Sequence, residues 1–138
     1  RDAAEDKAFL EVMRLAGYEA MAAALADGAT IMPIIGMPPS MSNDPNTYVD
    51  QIFDMVLSTF SRDDTLTCSL QDWRKGRRAE IDEVNGIVIE KLKAAGHDAP
   101  MNSRVVEMAF QIEAGLLPLS KDNAAALIGT YKALTAKT

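Results

Sequence analysis

The sequence predicts an all-α helical bundle on three observations. Apolar residues recur at steps of three and four, glycine and proline punctuate the ends of those stretches, and no segment alternates strongly enough to compete as a strand. A content of 48% hydrophobic and 25% charged residues places the 138-residue chain among globular proteins, and its length suits one domain spanning 1–138.

The first helix falls within 3–27, where Phe9, Met13, Ala16 and Ala20 share a face and Gly28 is available to end the turn. Between Ala29 and Asn43, Gly36, Pro33, Pro38 and Pro39 disrupt regular helix and give a long loop. Asp44-Pro45 opens the second helix, the aspartate accepting free amide hydrogens and the proline needing no partner for its nitrogen. Tyr48, Ile52, Phe53, Val56, Leu57 and Phe60 mark its buried face. After a polar break at Ser61–Thr65, a short segment runs to Gly76. Ala79–Ala95 is then helical through Ile81, Val84, Val88 and Leu92, and Gly96 stops it. Two more helices follow, with Asn102 read as a cap before Val105, Val106, Ala109, Phe110 and Ile112, and Ser120 as a cap before Leu127, Ile128, Tyr131 and Leu134.

A formal charge of −6 opposes adhesion to nucleic acid or to anionic lipid, so neither is an expected partner. Cys68 is the single cysteine and cannot form an internal disulfide, which favours the cytoplasm over a secreted scaffold. No apolar run reaches membrane-spanning length, and no residue pattern points to a metal. The chain begins at Arg1 without an initiator methionine and is read as a piece of a longer protein. The eight methionines are read as packing residues.

The informative stretch is Cys68-Ser69-Leu70-Gln71-Asp72-Trp73-Arg74-Lys75-Gly76-Arg77-Arg78-Ala79-Glu80-Ile81-Asp82, continuing through Asn85-Gly86 and, after a helix and a turn, Pro100-Met101-Asn102. It resembles the ketopantoate reductase family over roughly 44–114, in its Gln-Asp pair, Glu-Ile-Asp, Asn-Gly and Pro-x-Asn elements taken in order. The resemblance implies a helical C-terminal domain like that of 6-phosphogluconate dehydrogenase. Its activity would be NADPH-dependent reduction of a small 2-oxo acid, 2-dehydropantoate to pantoate in the pantothenate pathway. It further implies an N-terminal Rossmann domain as partner, and a homodimer is among the assemblies it allows. The alternative is a non-catalytic binding or dimerisation module of the same fold.

The resemblance assigns Glu80 as the catalytic glutamate of the cleft, near the substrate and a catalytic lysine. The residues themselves read differently at first. Glu80 and Asp82 point about 200° apart on a helix and cannot form a carboxylate pair. Glu80 shares a stripe with Val84 and Val88, so it is expected on or near the apolar face, where a carboxylate needs a donor or a cation. Pairing with Arg77, or a place in the helix's first turn, would meet that need equally well.

In the family a serine twelve residues before this glutamate helps hold the substrate. Cys68 stands there, a weaker hydrogen-bonding group, so the substrate stays open. Cys68, Ser69, Asp72 and Asn85 form the expected substrate-binding set. Gln71 and Asp72 also read as braces of the turn before Gly76, Asn85 as facing either cleft or water, and Gly86 as a point of close packing against another helix. Arg74, Lys75, Arg77 and Arg78 could meet a cofactor phosphate, but a solvated charged face is their default reading. His97, the single histidine, follows Gly96 in an exposed turn and is not expected to activate Cys68.

Two parts of such a reductase are missing. The sequence has no G-x-G-x-x-G turn for a dinucleotide, and Lys7 is followed four residues on by Glu11 where the family has an asparagine. The cofactor-binding residues and the proton-donating lysine are therefore expected outside this chain, and the 138 residues alone are expected not to turn over.

Overall fold

The computed structural model describes residues 6–34, 44–60 and 66–136. Six α-helices run in order among them: α1 (Lys7–Ala26), α2 (Pro45–Met55), α3 (Cys68–Arg74), α4 (Ile81–Ala94), α5 (Pro100–Glu113) and α6 (Asn123–Thr135), with a π-helical turn at Val56–Phe60 after α2. The described residues contain no strand, as the periodicity predicts. None of their helices is long and apolar enough to cross a membrane. Gly36, Pro38, Pro39 and the polar break at 61–65 lie outside the described residues.

Helix α1 is the axis of the bundle. It packs against α2, α4, α5 and α6, while α5 also packs against α4 and α6. This explains why the residues of α1 from Ala8 to Met21 are nearly all at least half-buried, instead of dividing into one wet and one dry face. A core of Ala23, Val88, Leu92 and Ala99 joins α1 to α4 and to the turn before α5, with Ala20 and Ile89 packed around it. Small residues at positions 20 and 23 let α4 approach α1 closely.

Several starts and stops follow the sequence. Asp44 accepts the Thr47 amide at 3.1 Å and its hydroxyl, with Pro45 in the first turn of α2. Gly28, Gly76 and Gly96 take φ of 87°, 67° and 80°, left-handed values that glycine adopts without the Cβ clash of other residues.

Five expectations need correction. Ser120 is not the cap of α6: Asp122 holds that position, and the Ser120 hydroxyl accepts the Asp122 amide. Val56 and Phe60 are exposed because the chain changes to a π-helical turn after Met55, which takes them off the stripe of Tyr48 and Val49. Phe110 is exposed too, since α5 turns Met101, Met108 and Ala109 inward. Asn102 is not a cap: Ala99 holds that position, and Asn102 is buried in the first turn of α5. Nor is Gly86 the close-packed glycine. A Cβ there would meet only the Asp82 Cβ of its own helix, at 3.7 Å, whereas one on Gly17 would lie 2.9 Å from both the Phe53 ring and a Val49 methyl. Gly17 is where α1 and α2 come together.

Candidate functional site

The α3–α4 turn is built mainly from its own backbone. Thr67 caps α3 by accepting the Leu70 amide, and Gln71 donates to the Leu66 carbonyl, bracing the segment ahead of α3. At the far end, the Asp72 carbonyl accepts from Lys75 at 3.0 Å and from Arg77 at 2.9 Å around Gly76, while its carboxylate holds the Arg77 guanidinium at 2.5 Å. Asp72 is thus a brace, as its place before Gly76 suggests. Cys68 is the first residue of α3 and is exposed; Ser69 beside it is half-buried.

Two members of the basic group are paired at close range. Arg77 is on Asp72, and Arg78 reaches both Glu83, at 3.0 Å, and Asp82. The hydrogen bond that Arg78 donates to Glu83 and the charges of Asp82 and Glu83 push its guanidinium above its ordinary pKa, fixing it in the charged form.

Glu80 occupies the N-cap position of α4, exposed, with φ −83° and ψ 38°, and its side chain caps no amide. Its side chain forms no ion pair among the described residues, since Arg77 has turned to Asp72. The expected apolar-face position is also corrected. The inward stripe of α4 runs through Ile81, Asn85, Val88 and Leu92, whereas Glu80, Val84 and Ile87 lie on the outer side, with Val84 62% exposed. The reason is packing: α4 must face both α1 and α5, and the Asn85 side chain serves that contact.

Asn85 donates to the Asn102 side-chain oxygen at 2.8 Å. Asn102 in turn donates its side-chain NH2 to the Ala16 carbonyl at 3.1 Å and to Glu19 at 2.7 Å. Glu19 is only 7% exposed, and its two oxygens also accept the amides of Met101 and Asn102, each at 2.8 Å. A carboxylate that accepts fixes the orientation of the Asn102 amide, and that amide fixes Asn85. The Pro-x-Asn element is therefore a helix start docked onto α1.

A second glutamate does comparable work at the α3–α4 turn. One oxygen of Glu113, the last residue of α5, accepts the Ala79 amide at 2.8 Å and the Trp73 indole N–H at 3.0 Å. Beside it Trp73, Gly76, Arg77, Arg78, Ile112 and Leu119 help line a cleft of about 340 Å3.

The structure thus places Asp72 and Glu80 on either side of the α3–α4 turn, Cys68 and Ser69 at the opposite end of α3, and Asn85 on the inner side of α4. No hydrogen bond or ion pair among the described residues joins Cys68, Ser69 or Glu80 to one another. The sequence reading missed Glu19, Trp73 and Glu113. Glu19 carries the signal that drew attention to Glu80, a lone acid on a buried stripe with Val12 and Ala23. Glu113 carries no local signal, because its donors lie 34 and 40 positions away. No grouping of histidine, cysteine or acidic side chains among the described residues could hold a metal ion.

With this geometry in place, the chain can be compared with known protein families. The family model described as ketopantoate reductase PanE/ApbA C terminal covers residues 1–113, ending on Glu113 and leaving α6 outside. Neither the curated proteins nor the solved structures compared with the chain give a match. Most of the chain, including the α3–α4 turn and the docked start of α5, lies within the matched span, and the chain belongs to the ketopantoate reductase C-terminal family.

Proposed function

We propose that this chain is the substrate-side domain of an NADPH-dependent 2-oxo acid reductase acting on 2-dehydropantoate or a close analogue, with Glu80 as its catalytic carboxylate. The observation that carries the reading is the family match over 1–113. The geometry supports it, because Glu80 stands exposed at the start of α4 with no cap bond or ion pair from the described residues engaging its carboxylate. In this reading Glu80 orients the substrate and a lysine outside the chain, which is catalysis by positioning. Cys68, Ser69 and Asp72 flank the substrate from the α3 side. Asn85, turned inward to Asn102, supports this side of the site by holding α4 against α5.

The described residues do not fit NADPH itself. They contain no strand-to-helix glycine turn, and Arg77 and Arg78 are already paired with acids. The cofactor therefore belongs, in this proposal, to a separate Rossmann half.

The test is NADPH oxidation by the intact gene product with 2-dehydropantoate. Turnover is expected, and Glu80→Gln is expected to lower kcat by on the order of a hundredfold. Absence of NADPH binding by the intact protein, or wild-type turnover by Glu80→Gln, overturns the reading. Cys68→Ser sharpens it: a lower KM for 2-dehydropantoate in this variant would mean that the thiol tunes the site toward a different 2-oxo acid.

A further inference from the structure

We infer that Glu113 is a positioning residue for Glu80, a proposal that rests on the role given to Glu80 above. Helix α4 has no side-chain cap of its own, and the pairs of Arg78 with Asp82 and Glu83 tie the turn only to α4 itself, not to the rest of the bundle. Helix α3 makes no extensive contact with another helix, so the turn between them is not fixed by packing from that side. Among the described residues, the hydrogen bonds that tie this turn to the bundle converge on one oxygen of Glu113. It holds the amide of Ala79, the residue immediately before Glu80, and the indole of Trp73, on the other side of Gly76. Ala79 is 2% exposed, so its amide has little access to water in place of that bond.

Two donors converging on one carboxylate oxygen fix both ends of the Trp73–Ala79 loop against the end of α5. Glu80 leaves that clamp one peptide later. Its backbone direction is therefore set by α5 through Glu113, and loss of the clamp lets the carboxylate wander while the remainder of α4 stays packed through Val88 and Leu92. An error of about 1 Å in such a group is enough to cost on the order of a hundredfold in rate.

Trp73, the single tryptophan of these 138 residues, supplies the reporter, its emission being taken as the difference between the intact gene product and its Trp73→Phe variant. The experiment uses the intact gene product with NADPH and 2-dehydropantoate, comparing Glu113→Gln, Glu113→Leu, Glu80→Gln and the Glu80→Gln/Glu113→Leu double variant. Tryptophan emission and thermal unfolding are recorded for each. Glu113→Gln keeps an oxygen that can accept both donors, and is expected to retain the emission maximum and most of kcat. Glu113→Leu is expected to shift the emission and lower kcat while the helical signal persists. In the Glu80→Gln background it is expected to cost nothing further, since it acts through Glu80. An equal loss in both backgrounds, or wild-type kcat and emission for Glu113→Leu, overturns the positioning role while leaving Glu80 in place. Wild-type kcat for Glu80→Gln, or no turnover by the unsubstituted protein, overturns the parent reading and this one with it.

Discussion

Helices α1, α2 and α3 begin on acceptors from the adjoining chain: Asp6 takes the Ala8 and Phe9 amides, Asp44 that of Thr47, and Thr67 that of Leu70. Helices α4 and α5 have no side-chain cap of their own. Their starts are held by glutamates on other helices, Glu113 on the residue before the α4 cap and Glu19 inside the first turn of α5. A local cap stabilises its helix whatever the tertiary structure does. A remote one forms only when two helices have docked, so it makes the position of a helix start depend on the assembled bundle. The stretch bearing Glu80 and the Pro-x-Asn element belongs to this second kind.

The largest expected effect separates the two kinds most sharply. Glu19→Leu leaves the amides of Met101 and Asn102 and the Asn102 side chain without their acceptor in a buried site. At about 1–3 kcal/mol for each buried donor left unpaired, roughly 3 kcal/mol or more of stability should be lost. Asp44→Ala, at an exposed local cap, should cost only about 1 kcal/mol. Urea denaturation of the two variants makes the comparison, and equal losses would abolish the distinction.

Next come the glycines. Gly17→Ala drives a methyl against Phe53 and Val49 and should destabilise by about 1–3 kcal/mol. Gly86→Ala meets only ordinary contact at 3.7 Å and should stabilise α4 by roughly 0.5–1 kcal/mol. Thermal unfolding that moved both in the same direction would contradict the packing described for α1 and α2.

The smallest effect concerns a third tie, between α1 and α2, where Arg14 bonds Asp50 and Asp54 and the Tyr18 hydroxyl donates to Asp50. Burial, then the bond to Asp50, pushes the Tyr18 phenol up to about 12. The stability it contributes is complete below the ordinary tyrosine value of 10.0 and is lost as pH rises through about 12. The bond from Tyr18, followed by that from Arg14, holds Asp50 below the usual carboxylate range. That contribution is present above the ordinary aspartate value and disappears as pH falls through the lowered one. An ultraviolet titration should therefore show a late phenolate step that Tyr18→Phe removes; a titration complete near 10 in the unsubstituted protein would remove this tie from the account.

The same division explains what could be read from the sequence. Asp44-Pro45 was legible because donor and acceptor lie three positions apart, and Gly76 and Gly96 because a left-handed turn needs glycine wherever it occurs. The stripe of α4 was misjudged because Glu80-Val84-Val88 and Ile81-Asn85-Val88 both satisfy helical spacing, and only the choice of Asn85 as a partner for Asn102 decides between them. Around the candidate site, the turn and the exposed cysteine were legible, while the Glu113 clamp depended on contacts that no local pattern records.

The Glu19 node also bears on the order in which the molecule assembles. Its two backbone partners lie 82 and 83 positions down the chain, so closing the node early costs the entropy of a long loop, a cost that falls once the helices between have packed. Helices α1 to α3 can start early on caps of their own, whereas the first turn of α5 is secured late. Interactions made after the folding barrier act on escape from the native state more than on arrival there. Glu19 is accordingly a latch on the folded bundle, and its removal should show as faster unfolding at a nearly unchanged folding rate.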